Sequence, residues 1–76
     1  MKTNTLKKLL SGLPVENVRT SAYADGTTFA KIRFSVGGRR ARGPFCNGAR
    51  VCARLSELGA RSISLDFANV AICIFP

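Results

Sequence analysis

Leucines recur along the N-terminal stretch TNTLKKLLSGLP at positions 6, 9, 10 and 13, the i, i+3, i+4, i+7 spacing of one apolar helical stripe. Asn4 or Thr5 is placed to cap the start of this helix, and Gly12 followed by Pro14 supplies a stop. So short a helix is marginal alone, so its leucines must dock on another element. Beyond Pro14 the period changes to two. Ala30, Ile32, Phe34 and Val36 alternate with Lys31, Arg33 and Ser35, and Val18, Thr20 and Ala22 alternate with Arg19, Ser21 and Tyr23. This pattern predicts a hairpin from about Val15 to Val36. The turn decides its register. A two-residue Asp25-Gly26 turn would set Ala22 against Phe29 and Thr20 against Lys31, sending one arm's apolar set to solvent. A three-residue loop, Ala24-Asp25-Gly26 with Gly26 left-handed, restores even positions opposite even. Val18, Thr20, Ala22, Ala30, Ile32 and Phe34 then face inward, and Arg19, Ser21, Tyr23, Phe29, Lys31 and Arg33 face outward.

Gly37-Gly38 suits a second tight turn leading into Arg39 to Arg42 as a short third strand, which Gly43-Pro44 ends. A helix follows from about Cys46 to Leu58. Val51, Cys52, Leu55 and Leu58 form its buried side, Arg50, Arg54 and Glu57 its outer side, and Gly59 closes it. The tail reads as two strands. Ile63, Leu65 and Phe67 alternate, a turn spans Asp66 to Asn69, and Val70 to Phe75 is apolar without a break. Such a run is expected centrally in a sheet or covered on both faces; an exposed pairing edge blunted by Pro76 is the alternative. The fold class is α+β: a single domain over residues 1–76, in the order α-β-β-(β)-α-β-β, with helices packed on an antiparallel sheet.

Composition adds one outlying feature to this ordinary small fold. Twelve Lys and Arg face four acids, a net charge of +8 without histidine, and eight of the twelve are Arg. Arg presents a planar donor fork suited to phosphate and carboxylate, and a field of this size attracts polyanions; added solubility is the plainer reading. Three cysteines, Cys46, Cys52 and Cys73, cannot all pair within one chain. No apolar run follows the early lysines as a secretory leader requires, and no stretch approaches the roughly 20 apolar residues of a membrane span. Reduced thiols in a cytoplasmic setting and no membrane partner are therefore expected. A chain this short buries only about 60% of its unfolded surface, so self-association as a homodimer would help it fold.

The residues for catalysis are sparse. Acid–base chemistry needs titratable groups brought together, yet there is no His, and Glu16, Asp25, Glu57 and Asp66 fall in different elements. Asp25 and Asp66 are accounted for as turn residues. The cysteines lack the paired short spacings of a zinc site, and GGRRARGP lacks the spacing and terminal Lys-Ser/Thr of a phosphate-binding loop. Cys46, at a helix start after an arginine cluster, is placed to be a reactive thiol; a small half-buried apolar residue is the other reading. The expectation is a binding protein without cofactor, metal or catalytic residues.

The candidate binding residues are cationic. Arg39, Arg40 and Arg42 fall in four positions, Lys31 and Arg33 share a strand face, and Arg50 and Arg54 lie one helical turn apart. If the third strand pairs with the second, these groups form one continuous basic surface bordered by Tyr23 and Phe29. Guanidinium groups there would meet phosphates, and the aromatics would stack on bases or fill a protein pocket. Alternatively, Tyr23 and Phe29 cover the second helix or the tail hairpin.

Two family resemblances attach to these segments. FAKIRFSVGGRRARGPF followed by a helix resembles the three-strands-then-helix domain of plant GCC-box-binding transcription factors and phage integrase arm-binding domains, through Gly37, Arg39, Arg40, Gly43 and Phe45. The chain lacks that family's tryptophans and adds a C-terminal hairpin. The resemblance implies a sheet entering a DNA major groove, with Arg33, Arg39, Arg40 and Arg42 as contacts. In architecture the Asp-Gly hairpin, the helix Ala49 to Leu58 and the closing hairpin ending Ile74-Phe75-Pro76 are similar to anti-CRISPR proteins of phages and mobile elements. That similarity implies a non-catalytic inhibitor, cytoplasmic in a bacterial host, that docks on a Cas protein or CRISPR surveillance complex. Direct DNA or RNA binding through the same surface is the alternative.

Overall fold

The computed structural model describes residues 2–35, 46–66 and 69–76. Two helices and four strands follow one another as α1 (Thr3–Leu9), β1 (Val15–Ala22), β2 (Thr28–Phe34), α2 (Asn47–Glu57), β3 (Arg61–Leu65) and β4 (Val70–Phe75). The strands form one antiparallel sheet in the order β1-β2-β4-β3. The domain is therefore α+β, as its periodicities require.

The first hairpin has the register that sequence patterning selects. Val18 lies opposite Ile32, Thr20 opposite Ala30 and Ala22 opposite Thr28. Gly26 sits at φ +91°, in the left-handed region open to glycine. The Asp25 carboxylate accepts from the Thr27 amide at 3.0 Å and the Thr27 hydroxyl at 2.7 Å, which fixes the turn. These bonds hold the Asp25 carboxyl below its ordinary range, the hydroxyl contributing most. Near the other end, Val15 pairs with Phe34 but Asn17 with Arg33, so a bulge at Glu16 takes up one extra residue.

β4 is central, between β2 and β3, which accounts for its unbroken apolar sequence; it is not an edge. One face of the sheet is packed. Val18, Ala30, Ile32, Phe34, Ala71, Cys73 and Phe75 form a core with Leu6 and Leu10 of α1 and Val51 and Leu55 of α2. α1 packs on β1 alone, whereas α2 crosses β2, β3 and β4. Both helices thus lie on the same side. No described helix is long and apolar enough to cross a membrane.

α2 matches its sequence pattern closely. Val51 and Leu55 are fully buried, Leu58 packs against the core, and Arg50 and Arg54 are exposed. Cys46 is its N-cap, its Sγ accepting from the Ala49 amide at 3.4 Å. Gly48 is where helix and sheet approach most tightly among the described glycines: a Cβ there would lie 3.1 Å from Leu65 Cδ1 and 3.2 Å from Phe34 Cζ.

α1 departs from expectation at its start and on its flank. Helix begins at Thr3 after Lys2, so neither Asn4 nor Thr5 is its cap. The Thr3 hydroxyl instead meets the Thr20 hydroxyl at 2.6 Å and ties the helix to β1. Leu6 and Leu10 are buried, but Leu9 is 37% exposed, because two leucines one turn apart already fill the contact with a single strand. Leu13 reaches the core from beyond the helix.

The tail hairpin is also less regular than simple alternation. Arg61 pairs with Ile74 but Ser64 with Ile72, and Ser62 has φ 54°, the mark of a bulge. Leu65 remains 50% exposed. The Asp66 amide donates to the Val70 carbonyl at 3.0 Å, and the Val70 amide to the Asp66 carboxylate at 3.3 Å, closing the turn.

Two outcomes test this packing. Gly48→Leu is expected to destabilise the fold by about 1–3 kcal/mol through overpacking against Phe34, with a smaller effect for Gly48→Ala because Leu65 can turn aside; denaturant midpoints measure both. Cys73 is fully buried, and burial, followed by the neighbouring Cys52, pushes its thiol up to about 11. The fold favours the neutral thiol. Its contribution is present below the ordinary thiol value of 9.0 and is lost as pH rises from there toward about 11. Stability of the wild type should therefore fall more steeply over that window than stability of Cys73→Ala.

Candidate functional site

Because both helices pack on one side, the alternate residues of the strands project from the other, and no described helix lies there. Strand register orders that outer face into rows. Ser21, Phe29, Ile74 and Arg61 lie side by side; next come Arg19, Lys31, Ile72 and Ser64; then Asn17, Arg33 and Val70. Cations dominate the β1–β2 half, and aliphatic side chains run down β4. Phe29, Ile72 and Ile74 are half-buried, while Arg19, Lys31, Arg33 and Arg61 are exposed.

A hollow of about 270 Å³ opens on this face, lined by Asn17, Arg19, Lys31, Arg33, Asp66 and Val70. Arg19 and Lys31 are direct cross-strand partners, with Arg33 in the adjoining row. Like charges placed opposite each other in a sheet disfavour the pairing by roughly 0.2–1 kcal/mol. The fold tolerates that cost in the same place where the surface is concave. A second hollow of about 280 Å³ lies between α1 and β1, with Lys7 and Glu16 beside Leu10, Leu13 and Val15. Its charges are of opposite sign, so it gathers no comparable field.

The expected basic surface is divided. Lys31, Arg33 and Phe29 share the outer sheet face, with Tyr23 at the hairpin tip, 53% exposed. Arg50 and Arg54 stand on α2, in the layer packed against the opposite face, so they do not join Lys31 and Arg33. Arg54 Nε lies 3.7 Å from Glu57 Oε2 across an exposed turn, a pair worth little. Arg39, Arg40 and Arg42 lie outside the described residues. Both edges of β2 are taken along Thr28–Arg33, one by β1 and the other by β4. The chain leaves the described structure after Ser35 and returns at Cys46. The Asn47 side-chain amide, donating to the Ser35 carbonyl at 2.5 Å, holds those two points together.

Neither aromatic covers α2, which lies on the other side of the sheet. Phe29 flanks Ile74 of the tail hairpin. Among the described residues no three Cys, Asp or Glu come together as a metal-binding group. The acids are spread over the molecule: Glu16 exposed at the β1 bulge, Asp25 in its turn, Glu57 beside Arg54, and Asp66 at the hollow.

Sequence reasoning alone did not single out Arg19, Asn17, Arg61, Asp66 and Val70 as site residues. Arg19 was legible, since hairpin register sets it opposite Lys31. Arg61, Asp66 and Val70 join the face only through the pairing of β2 with β4, strands separated by a helix and another strand. No family model, no curated protein and no solved structure matches the chain.

Proposed function

We propose that this chain is a non-catalytic binding domain that engages single-stranded nucleic acid on its outer sheet face. The observation that carries the reading is the convergence of Arg19, Lys31 and Arg33 in one hollow, on a face where no described helix lies. Guanidinium and ammonium groups meet phosphates there, and Phe29, half-buried in the neighbouring row, offers a ring for a base to stack on. Ile72 and Ile74, successive outward residues of β4, accept the faces of further bases. Net charge of +8 draws the polyanion in.

A second reading is favoured by the same apolar row: docking on a protein of a nucleic-acid-processing complex. Arginine and aromatic groups around an apolar centre also characterise protein interfaces, and Tyr23 and Phe29 would be the anchors. The resemblance to anti-CRISPR proteins points this version toward a Cas protein or surveillance complex as partner.

Gel shift across a salt series tests the first reading. Three phosphate contacts on a single strand give a slope of about −2 in log affinity against log salt; no binding at low salt would overturn it. Lys31→Glu with Arg33→Glu should weaken binding by more than about tenfold, whereas Arg50→Glu with Arg54→Glu, on the other layer, should change it by less than about threefold. Equal losses from the two pairs would place the interface elsewhere. Pull-down from a bacterial lysate with and without nuclease separates the two readings: partners retained after digestion favour protein docking, and partners lost favour nucleic acid.

A further inference from the structure

We propose that two copies of the chain pair through the outer edge of β1, antiparallel about a two-fold axis at Thr20, and that Tyr23 of each copy fills the hollow between α1 and β1 of the other. Such pairing does not depend on the nucleic-acid reading above. Three features of β1 support it. First, its outer edge is regular and directed to receive a strand. The Tyr23 amide donates to the Thr27 carbonyl, and bonded pairs alternate along an antiparallel ladder. Ser21, Arg19 and Asn17 therefore bond toward β2. Val18, Thr20 and Ala22 direct their amides and carbonyls the other way, to a side where no described strand lies. The register with β2 is unbroken from Asn17 to Ala22. At the far edge of the sheet, β3 has five residues and is bulged at Ser62, φ 54°, which blunts it as a template. β1 is the edge suited to strand addition.

Second, this edge is complementary to itself. Pairing about Thr20 uses all three outward-directed residues at once: Thr20 meets Thr20 of the second copy, and Val18 meets Ala22. On the outer face Arg19 falls opposite Ser21. Centring one residue earlier would set Arg19 against Arg19, a like-charge pairing that sheets avoid. The helices favour the same register. α1 runs along β1 from Thr20 back toward Val15, since Thr3 meets Thr20 and Leu10 and Ser11 share a hollow with Val15 and Val18. Rotation about Thr20 sets the two α1 helices end to end. Rotation about Val18 would overlap them above strands only about 4.8 Å apart, where packed helices need about 8–10 Å.

Third, a side chain and a space match. Tyr23 is 53% exposed at the hairpin tip. Pairing about Thr20 brings it opposite Asn17, which lines the hollow of about 280 Å³ with Leu10, Leu13, Val15, Lys7 and Glu16. The ring meets the apolar walls, and its hydroxyl donates to the Glu16 carboxylate or accepts from Lys7. The interface is isologous, so each contact occurs twice.

The test is sedimentation equilibrium on the full chain without nucleic acid, over a concentration series from about 1 µM to about 1 mM. The mass should rise from 8.2 kDa to that of two chains. Added salt should tighten the dimer, because it screens two copies of a +8 charge, whereas it loosens nucleic-acid binding. Ser21→Glu, facing Arg19 of the second copy, should tighten the dimer about threefold beyond Arg54→Gln, which alters net charge equally from α2. Ser21→Arg should weaken it by a similar factor, and Tyr23→Ala by more than about tenfold. All of these positions are exposed, and circular dichroism confirms that the variants fold. A mass that stays at one chain throughout, or that grows past two, would overturn the proposal. So would a dimer indifferent both to the charge at position 21 and to Tyr23→Ala. Each of these results leaves the gel-shift test of nucleic-acid binding unaffected.

Discussion

The alternation of β2 between two hydrogen-bonded neighbours governs the rest of the molecule. Seven residues, Thr28–Phe34, carry apolar or small groups at every second position and Phe29, Lys31 and Arg33 in between. Pairing with β1 on one edge and β4 on the other locks both sets in place. A strand shifted by one residue would bury Lys31 and Arg33 without partners and expose Ala30, Ile32 and Phe34. The hydrophobic effect thus selects the register for the sake of the core, and the cationic face follows from it.

This coupling decides how much could be read from the sequence. The first hairpin was legible because its signals are local: two alternating arms, and a glycine where a left-handed residue is needed. α2 was legible because Val51, Leu55 and Leu58 repeat at helical spacing and Gly59 follows. The start of α1 was not, because Thr3 gains its place from a hydroxyl contact with Thr20, far along the chain. The bulge at Ser62 and the moderate exposure of Leu65 likewise depend on how β3 meets β4, and nothing in RSISL announces them.

The site divides along the same line. Lys31, Arg33 and Phe29 follow from strand alternation, and the structure keeps them together. Grouping Arg50 and Arg54 with them needed the layer in which α2 packs, and charge patterning carries no information about layers. Helix polarity requires only that arginines avoid the core; it is equally satisfied on either side of the sheet. Asp66 and Val70 reach the hollow because β4 inserts beside β2, a long-range pairing whose partner an unbroken apolar run leaves unspecified.

The unequal seating of the two helices bears on how the molecule opens. α2 is fastened across three strands, whereas α1 rests on one, held by Leu6, Leu10 and a pair of hydroxyls. Detaching α1 would uncover Val18 and the inner side of the outermost strand while β2, β4, β3 and α2 stay closed around Cys73. Local unfolding follows such differences in buried contact, so between the two described helices the N-terminal one is the more weakly fastened. The cationic face is built on strands rather than on that helix, and β2, which carries two of its cations, stays paired with β4 when the helix lets go.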